Sequence, residues 1–355
     1  MAQSHYQIAT TPRLYVSYPL WQYANGALDD LLTNFNGSEE DLIRIIQLDP
    51  SNYTSFDLPN QFNVLRYRIV PQTDNFTDLL ESKLWNFNFA MFLGHNFNSA
   101  NAVPQIQVAS DDGSVTEINT TNIINHTPFG VPDYDGFSIM QLQGAASNFD
   151  YNFRIGIKPQ NVNQGGTFTE SPINIGSVLF GKYFDFPQNC NLNTTITYDY
   201  GVKQKQTIAG KTISTANWTK TNNWITEPFG LGNEKGDNFQ RKSGRRTWSL
   251  SFDSLAPKYV MNQNPMMNDN GWNHNYDNFD NTASNNSLYN INNGLDFYTT
   301  VVNRCMANHL PMVLQLDKDN PSPEQFAIVR MNKNYKITQK SSNLYTIKLQ
   351  LVEQI

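Results

Sequence analysis

Large apolar and small polar residues alternate one for one along several stretches of this sequence, and a period of two belongs to β-strands whose faces meet different surroundings. Trp248, Leu250 and Phe252 alternate with Thr247, Ser249 and Ser251, while Tyr345, Ile347, Leu349 and Leu351 oppose Lys348 and Gln350. Upstream, Trp85, Phe87, Phe89, Met91 and Leu93 share one face against Asn86 and Asn88, which predicts a half-buried strand. Ile106 and Val108 resume the pattern within 103–109, and Tyr151, Phe153, Ile155 and Ile157 repeat it. Ile173, Ile175 and Val178 to Phe180 form a further run that ends at Gly181. Arg13 to Trp21 reads as a strand closed by the turn Asn25-Gly26. Short strands parted by Gly, Pro, Asn and Asp, with one short helical hint at 77–81, predict a mainly β protein whose first half is a β-sandwich.

Charged residues make up only 16% of the chain and aromatics 13%, a balance that favours strands over helices. At 355 residues the chain is long enough for two domains, each with its own core. A net charge of −6 argues against a surface that grips nucleic acid throughout, because phosphate neutralisation needs an excess of Lys and Arg. Cys190 and Cys305 make no disulfide framework, so buried free thiols are expected. The first residues carry no signal-peptide pattern, and no run approaches the ~18 apolar residues of a membrane helix. The expectation is a protein made in a cytoplasm, with no membrane insertion. The sequons at Asn52, Asn75, Asn125 and Asn217 are chance occurrences in an Asn-rich chain.

The second half closes on a distinct order of elements. A strand over Gly244 to Leu255 is followed by an Asn-rich loop, about 258–293, with no period of either kind. A helix over about 294–309 comes next, capped by Asn292 or Asn293, with Leu295, Tyr298, Val301 or Val302, Cys305 and His309 at helical spacing and Pro311 as its stop. Strands at Met312 to Leu316, Gln325 to Met331 and Tyr345 to Val352 finish the chain. In the loop, Trp272, Tyr276 and Phe279 are costly as free surface aromatics, so contact with a neighbouring subunit is preferred over a flexible tip. The cluster Arg241, Lys242, Arg245 and Arg246 is read as pairing with acids of an adjacent subunit, ahead of a solvated guard of the sheet edge and of DNA contact.

Residues that would carry chemistry are scarce. Asp133 with Asp135, Asp277 with Asp280, and Asp317 with Asp319 all sit in turn-forming sequence, where Asp hydrogen-bonds its own backbone. There is no Gly-x-Ser-x-Gly elbow, phosphate-binding loop or His-Glu-x-x-His. Gly94, His95 and Asn96 are read as a loop satisfying backbone groups at a strand end, ahead of a metal or sugar ligand, since no second His stands at ligand spacing. The expectation is a chain with no catalysis, no cofactor and no metal.

Two resemblances sharpen this reading. Leu93-Gly-His-Asn-Phe97 and Ile175-Gly-Ser-Val-Leu-Phe-Gly181 resemble elements of jelly-roll domains of the discoidin, galectin and carbohydrate-binding kind found in virion tail proteins, over roughly 10–190 of a first domain set at 1–190. Arg246-Thr-Trp-Ser-Leu-Ser-Phe252, a helix, Pro311 to Leu316, Phe326 to Met331 and Leu344 to Glu353 are similar to the tube-type barrel of minor and distal tail proteins of tailed bacteriophages, over about the final 110 residues of a second domain set at 191–355. Distal tail proteins commonly place that barrel first, whereas here it comes second. The resemblance implies a structural protein of the phage tail or baseplate, in a homo-oligomeric ring of six that contacts tail-tube, baseplate or fibre proteins. It makes no use of sequence-specific nucleic acid. Host glycans are the partner under the alternative, a carbohydrate-binding virion protein.

Overall fold

The computed structural model describes residues 10–26, 37–50, 52–57, 62–68, 87–109, 115–143, 152–161, 166–192, 194–216, 245–260, 296–322, 325–332 and 335–354. The helical hint at 77–81, Trp85, Tyr151 and the Asn-rich stretch 261–293 lie outside them. The protein is mainly β. Its elements are β1 (Arg13–Ser17), α1 (Tyr18–Ala24), α2 (Glu39–Ile46), β2 (Thr54–Phe56), β3 (Phe62–Arg68), β4 (Phe89–His95), β5 (Ala102–Ala109), β6 (Val115–Glu117), β7 (Thr120–Ile124), β8 (Gly136–Leu142), β9 (Asn152–Pro159) and β10 (Ile173–Ile175). There follow β11 (Ser177–Asp185), β12 (Thr195–Asp199), β13 (Val202–Gln206), β14 (Thr212–Ala216), β15 (Arg245–Leu255), α3 (Pro257–Val260), a π-helical turn (Tyr298–Val302), β16 (Met312–Gln315), β17 (Phe326–Met331), β18 (Lys336–Ser341) and β19 (Leu344–Glu353).

The first strand-like run divides in two. Ser17 ends β1 and caps α1, its Oγ accepting from the Leu20 N–H at 3.3 Å, and Pro19 sits in the first turn, where its missing N–H costs nothing. A strand therefore gives way to a helix before Asn25-Gly26. In α2, Ser38 and Asp41 form a capping box, and Leu42, Ile45 and Ile46 bury one stripe. That start signal, Ser-Glu-Glu-Asp before an apolar run, is legible in the sequence.

One antiparallel sheet of eleven strands organises the molecule, in the order β12-β15-β19-β17-β16-β1-β11-β4-β8-β7, with β18 on β19. β1 brings the start of the chain into its middle, pairing Leu14 with Leu314 of β16 on one side and with Phe184 of β11 on the other. Strands of both halves thus belong to one sheet. β11 does not end at Gly181 but runs on to Asp185, because β1 lies along it from Gly181 to Asp185.

Both faces of the central strands are covered. Leu14 and Val16 of β1 join a core with Met312 and Leu314 of β16, while Tyr15 points to the opposite face and packs with Phe89, Met91 and Val313. On β4, Phe89, Met91 and Leu93 enter that second core, whereas Ala90 and Phe92 face Ile106, Ile155 and Ile157 of the four-stranded sheet β3-β9-β5-β6. The expected half-buried strand is buried on both faces. Phe89 to Leu93 is an unbroken apolar run, the composition of a strand covered twice.

The sheet coils in opposite senses. In a flat sheet the five strand spacings between β15 and β11 would span about 24 Å. Yet Phe186, just past β11, stacks on Phe252 of β15 with ring centroids 3.8 Å apart. On the other face Phe137 of β8 meets Phe326 of β17 at 6.1 Å, across the same number of spacings. Among the described residues β11 does not pair with β12, nor β8 with β17, so no closed barrel forms and an open, twice-curled sheet stands in its place. Chain connectivity bridges the first gap: past Phe186 the backbone N–H of Asn191 reaches Ser251 of β15 at 2.8 Å, and β12 then pairs with β15.

Of the helix expected over 294–309, the described part is the π-helical turn followed by turns to His309, with positive φ at Met306 and Ala307. Asp296 takes the capping role, its Oδ1 accepting from the Thr299 N–H at 2.9 Å; Asn292 and Asn293 lie outside the described residues. Val301, Val302 and Cys305 enter the core beneath β15 and β16, whereas Tyr298 and His309 of the expected stripe are exposed, because the π-helical turn and the turns after it do not keep the α-helical period.

Candidate functional site

Arg246 opens β15 on the face that carries Trp248, Leu250 and Phe252, so the strand's alternation drives it inward. It is 4% exposed, and its guanidinium holds Glu353 at the end of β19, Nη2 to Oε1 at 2.5 Å and Nε to both carboxylate oxygens at 3.0 Å. The Arg246 N–H also donates to Glu353 at 2.9 Å, Nη2 reaches the Phe326 carbonyl at 3.2 Å, and the guanidinium lies 5.0 Å from the centre of the Trp248 ring. The expected partner on an adjacent subunit is replaced by an acid of the same chain, because the closing strand's final Glu falls beside the opening strand's Arg. Arg245 points the other way, exposed, in register with Asp199 of β12. Arg241, Lys242, Trp272, Tyr276 and Phe279 lie outside the described residues.

The Gly94, His95 and Asn96 loop is built into the structure. A side chain at Gly94, where φ is +66°, would strike the Pro50 carbonyl oxygen. The His95 ring is fully buried, stacked on Phe97 at 4.1 Å, with Nε2 2.9 Å from the Ser138 hydroxyl and Nδ1 accepting from the Phe97 N–H at 3.3 Å. Burial holds its pKa down to about 3, so the ring is neutral near pH 7. Asn96 donates to the Pro172 carbonyl at 3.1 Å and accepts from the Asn174 N–H at 2.8 Å, fastening β10 to the end of β4.

The same end of the sheet carries a surface that sequence reasoning passed over. Asn125 is buried, and its amide donates to the Tyr134 and Phe137 carbonyls at 2.8 Å each while its oxygen accepts from the Tyr134 N–H at 3.1 Å. This sequon nitrogen is spent inside the fold. Asn98 braces the loop through the Pro132 carbonyl at 2.8 Å, and the Ser99 hydroxyl bonds Asp135. The braced loop 125–136 presents Phe129, 59% exposed with φ at +60°, and Tyr134, whose hydroxyl pKa rises to about 12 through burial and the Asp133 charge. The legible signal was two aromatics set among Pro, Gly and Asp.

A second surface is cationic. Ser251, Asp253, Thr346, Lys348, Lys336 and Lys340 line an open groove of about 890 Å³ over β15, β19 and β18, with Lys336 directly opposite Lys348. Asp253 is committed to hydrogen bonds from Thr346, at 2.6 Å, and from Asn191, which hold its carboxyl below the usual range.

Among the described residues the candidate acids are not brought together as a pair for general acid–base work. Asp135 binds Ser99, while Asp133 is exposed beside it. Asp317, fully buried, binds the Thr10 hydroxyl and accepts from the Asp319 N–H at 3.1 Å, which makes the 317–320 turn a brace. Asp277 and Asp280 lie outside the described residues. Among the described residues no group of three or more His, Cys, Asp or Glu side chains could hold a metal ion, and no helix is long and apolar enough to cross a membrane. No protein-family model, curated protein or solved structure matches this chain.

Proposed function

We propose that this chain is a structural protein of a tailed-phage virion, a ring-forming subunit of the distal tail or baseplate that joins the tail tube to tip or fibre components. The observation that carries the reading is the seven-strand arc β12-β15-β19-β17-β16-β1-β11, curled around one core, with Arg246 of β15 paired to Glu353 of the neighbouring β19. In this reading the arc is an opened form of the tube-type barrel, and the packing of β11, β4 and β8 on β3-β9-β5-β6 is the jelly-roll-like domain. The mechanism is geometric: repeated contacts around an axis close a ring that serves as conduit and platform, six subunits by the phage resemblance. Native mass spectrometry and negative-stain microscopy of the purified chain test it; closed rings support the reading, and a strictly monomeric species at high concentration counts against it.

One observation favours a second reading, a carbohydrate-binding virion protein. Phe129 is held in a conformation costly for a bulky residue and keeps its ring in solvent. Such strain is retained where a loop must display a side chain, and aromatic faces stack on sugar rings. Glycan-array binding lost in Phe129→Ala and Tyr134→Ala, with the thermal midpoint unchanged, would move the assignment to this class.

A further inference from the structure

The cationic groove over β15, β19 and β18 holds charge that the fold itself does not need. On β19, Thr346, Lys348 and Gln350 share the face opposite Ile347, Leu349 and Leu351, and the register carries that face onto β15 as Ser251 and Ser249 and onto β18 as Lys336 and Thr338. Lys336 stands directly opposite Lys348, and like charges so placed weaken a strand pair. Lysines on an edge strand guard it against stray pairing, which accounts for Lys336 and Lys340, since among the described residues β18 pairs with β19 alone. It does not account for Lys348, which lies on β19 between β15 and β18. All three lysines are exposed, and among the described residues none has an ion-pair partner. A local conflict kept at a cost in stability points to use.

The spacing of the charges narrows the ligand. Exposed Arg330 of β17 pairs with Val352 on the same face, four residues along β19 from Lys348, and Lys340 lies four residues along β18 from Lys336. Cations therefore recur about every 13 Å along the strands. Between Arg330 and Lys348 the face is neutral, with Gln350 and Ser249 in register and the Gln350 oxygen accepting from Asn332 at 3.2 Å. Between Lys348 and Lys340 stand Thr346 and the carboxylate of Asp253, which both lysines act on.

A nucleic-acid strand carries a charge about every 3.4 Å and would bring phosphates against Asp253. No aromatic side chain lines the groove, so bases would find nothing to stack on. A sugar polymer whose charges are parted by neutral residues meets both conditions. Its anionic groups fall at the cations, while its hydroxyls donate to Asp253 and bond the Ser249 and Ser251 hydroxyls and the Gln350 amide.

We propose that this face of β15, β19 and β18 binds an acidic polysaccharide, one whose carboxylate or sulfate groups are separated by neutral sugars. The site is far in strand order from the loop of Phe129 and Tyr134, and it depends on neither reading of the chain given above.

The probes are end-labelled hyaluronate and chondroitin sulfate oligosaccharides, titrated with the full chain and followed by fluorescence anisotropy. Carboxyl-reduced hyaluronate and an oligothymidylate of similar length serve as comparators. The acidic oligosaccharides are expected to bind, less tightly as salt rises, and carboxyl reduction is expected to abolish the binding of hyaluronate. The double variant Lys336→Gln, Lys348→Gln and the single variant Lys340→Gln are each expected to weaken binding by about tenfold or more. Because Lys336 and Lys348 repel each other, the thermal midpoint of the double variant is expected to hold or rise, an outcome that a purely structural pair would not give. The proposal is overturned if neither acidic oligosaccharide binds, or if both variants bind them like the wild type. Oligothymidylate bound as tightly as the acidic oligosaccharides also overturns it, since the face would then be a general polyanion surface.

Discussion

The ring of Phe137 on β8 lies 6.1 Å from that of Phe326 on β17, although four strands separate theirs in the sheet. Only a tightly coiled sheet brings them together, and both rings are fully buried in the core that Tyr15, Phe89 and Val313 share. A double-mutant cycle on Phe137→Leu and Phe326→Leu, read by chemical denaturation, is expected to give a coupling of about 0.5–1.5 kcal/mol. Strict additivity would mean that the coil does not bring these rings into contact.

Arg246 and Glu353 answer to a different rule, because both charges are out of water. Removing one partner strands the other, so Glu353→Ala is expected to cost about 3–5 kcal/mol, read as a fall in the urea midpoint. Replacing both, Arg246→Met with Glu353→Leu, should recover much of that loss. A single substitution without effect would show that the pair is solvated.

Acid should find the buried histidines. Burial lowers the pKa of His95 to about 3 and of His126 to about 4. The unfolded chain takes up these protons near the ordinary histidine value of about 6.5, while the folded protein refuses them. Their contribution to stability is complete above that pH and is lost progressively as pH falls towards the folded values. His95→Gln is expected to flatten the dependence of the denaturation midpoint between pH 6 and 4; an unchanged slope would show that His95 is not a source of it.

Cys305 is fully buried, its Sγ 3.9 Å from the Met312 sulfur, and burial pushes its thiol pKa up to about 12. A disulfide-exchange reagent at pH 8 is expected to leave it unmodified in the folded protein and to modify it promptly in urea, located by mass spectrometry of peptides. Rapid native labelling at Cys305 would mean that the turn around 303–309 opens readily.

The alternations at β15 and β19 were legible because those strands bury one face each: Trp248, Leu250 and Phe252 line the core in register with Leu351, Leu349 and Ile347. β4 was misjudged for the opposite reason, since Ala90 and Phe92 point to a second layer that no local period reveals. Arg246 carried a surface signal in sequence, a charge within a basic cluster, and the fold turned it inward. The aromatic loop 125–136 was hidden because its display depends on Asn125 bonding across it and on Asn98 and Ser99 reaching it from elsewhere in the fold.

By itself the sequence determined that the chain would be built of strands, which residues of β15 and β19 would face inward, and that Val301 or Val302, with Cys305, would pack on the sheet. Those follow from side-chain periodicity, which is local. Only the tertiary structure decided that β1 would sit between β11 and β16, joining strands of both halves into one sheet, and that the sheet would coil twice without closing. Which strands become neighbours depends on burying surfaces far apart in the chain, and a pattern that repeats every second residue does not encode that choice.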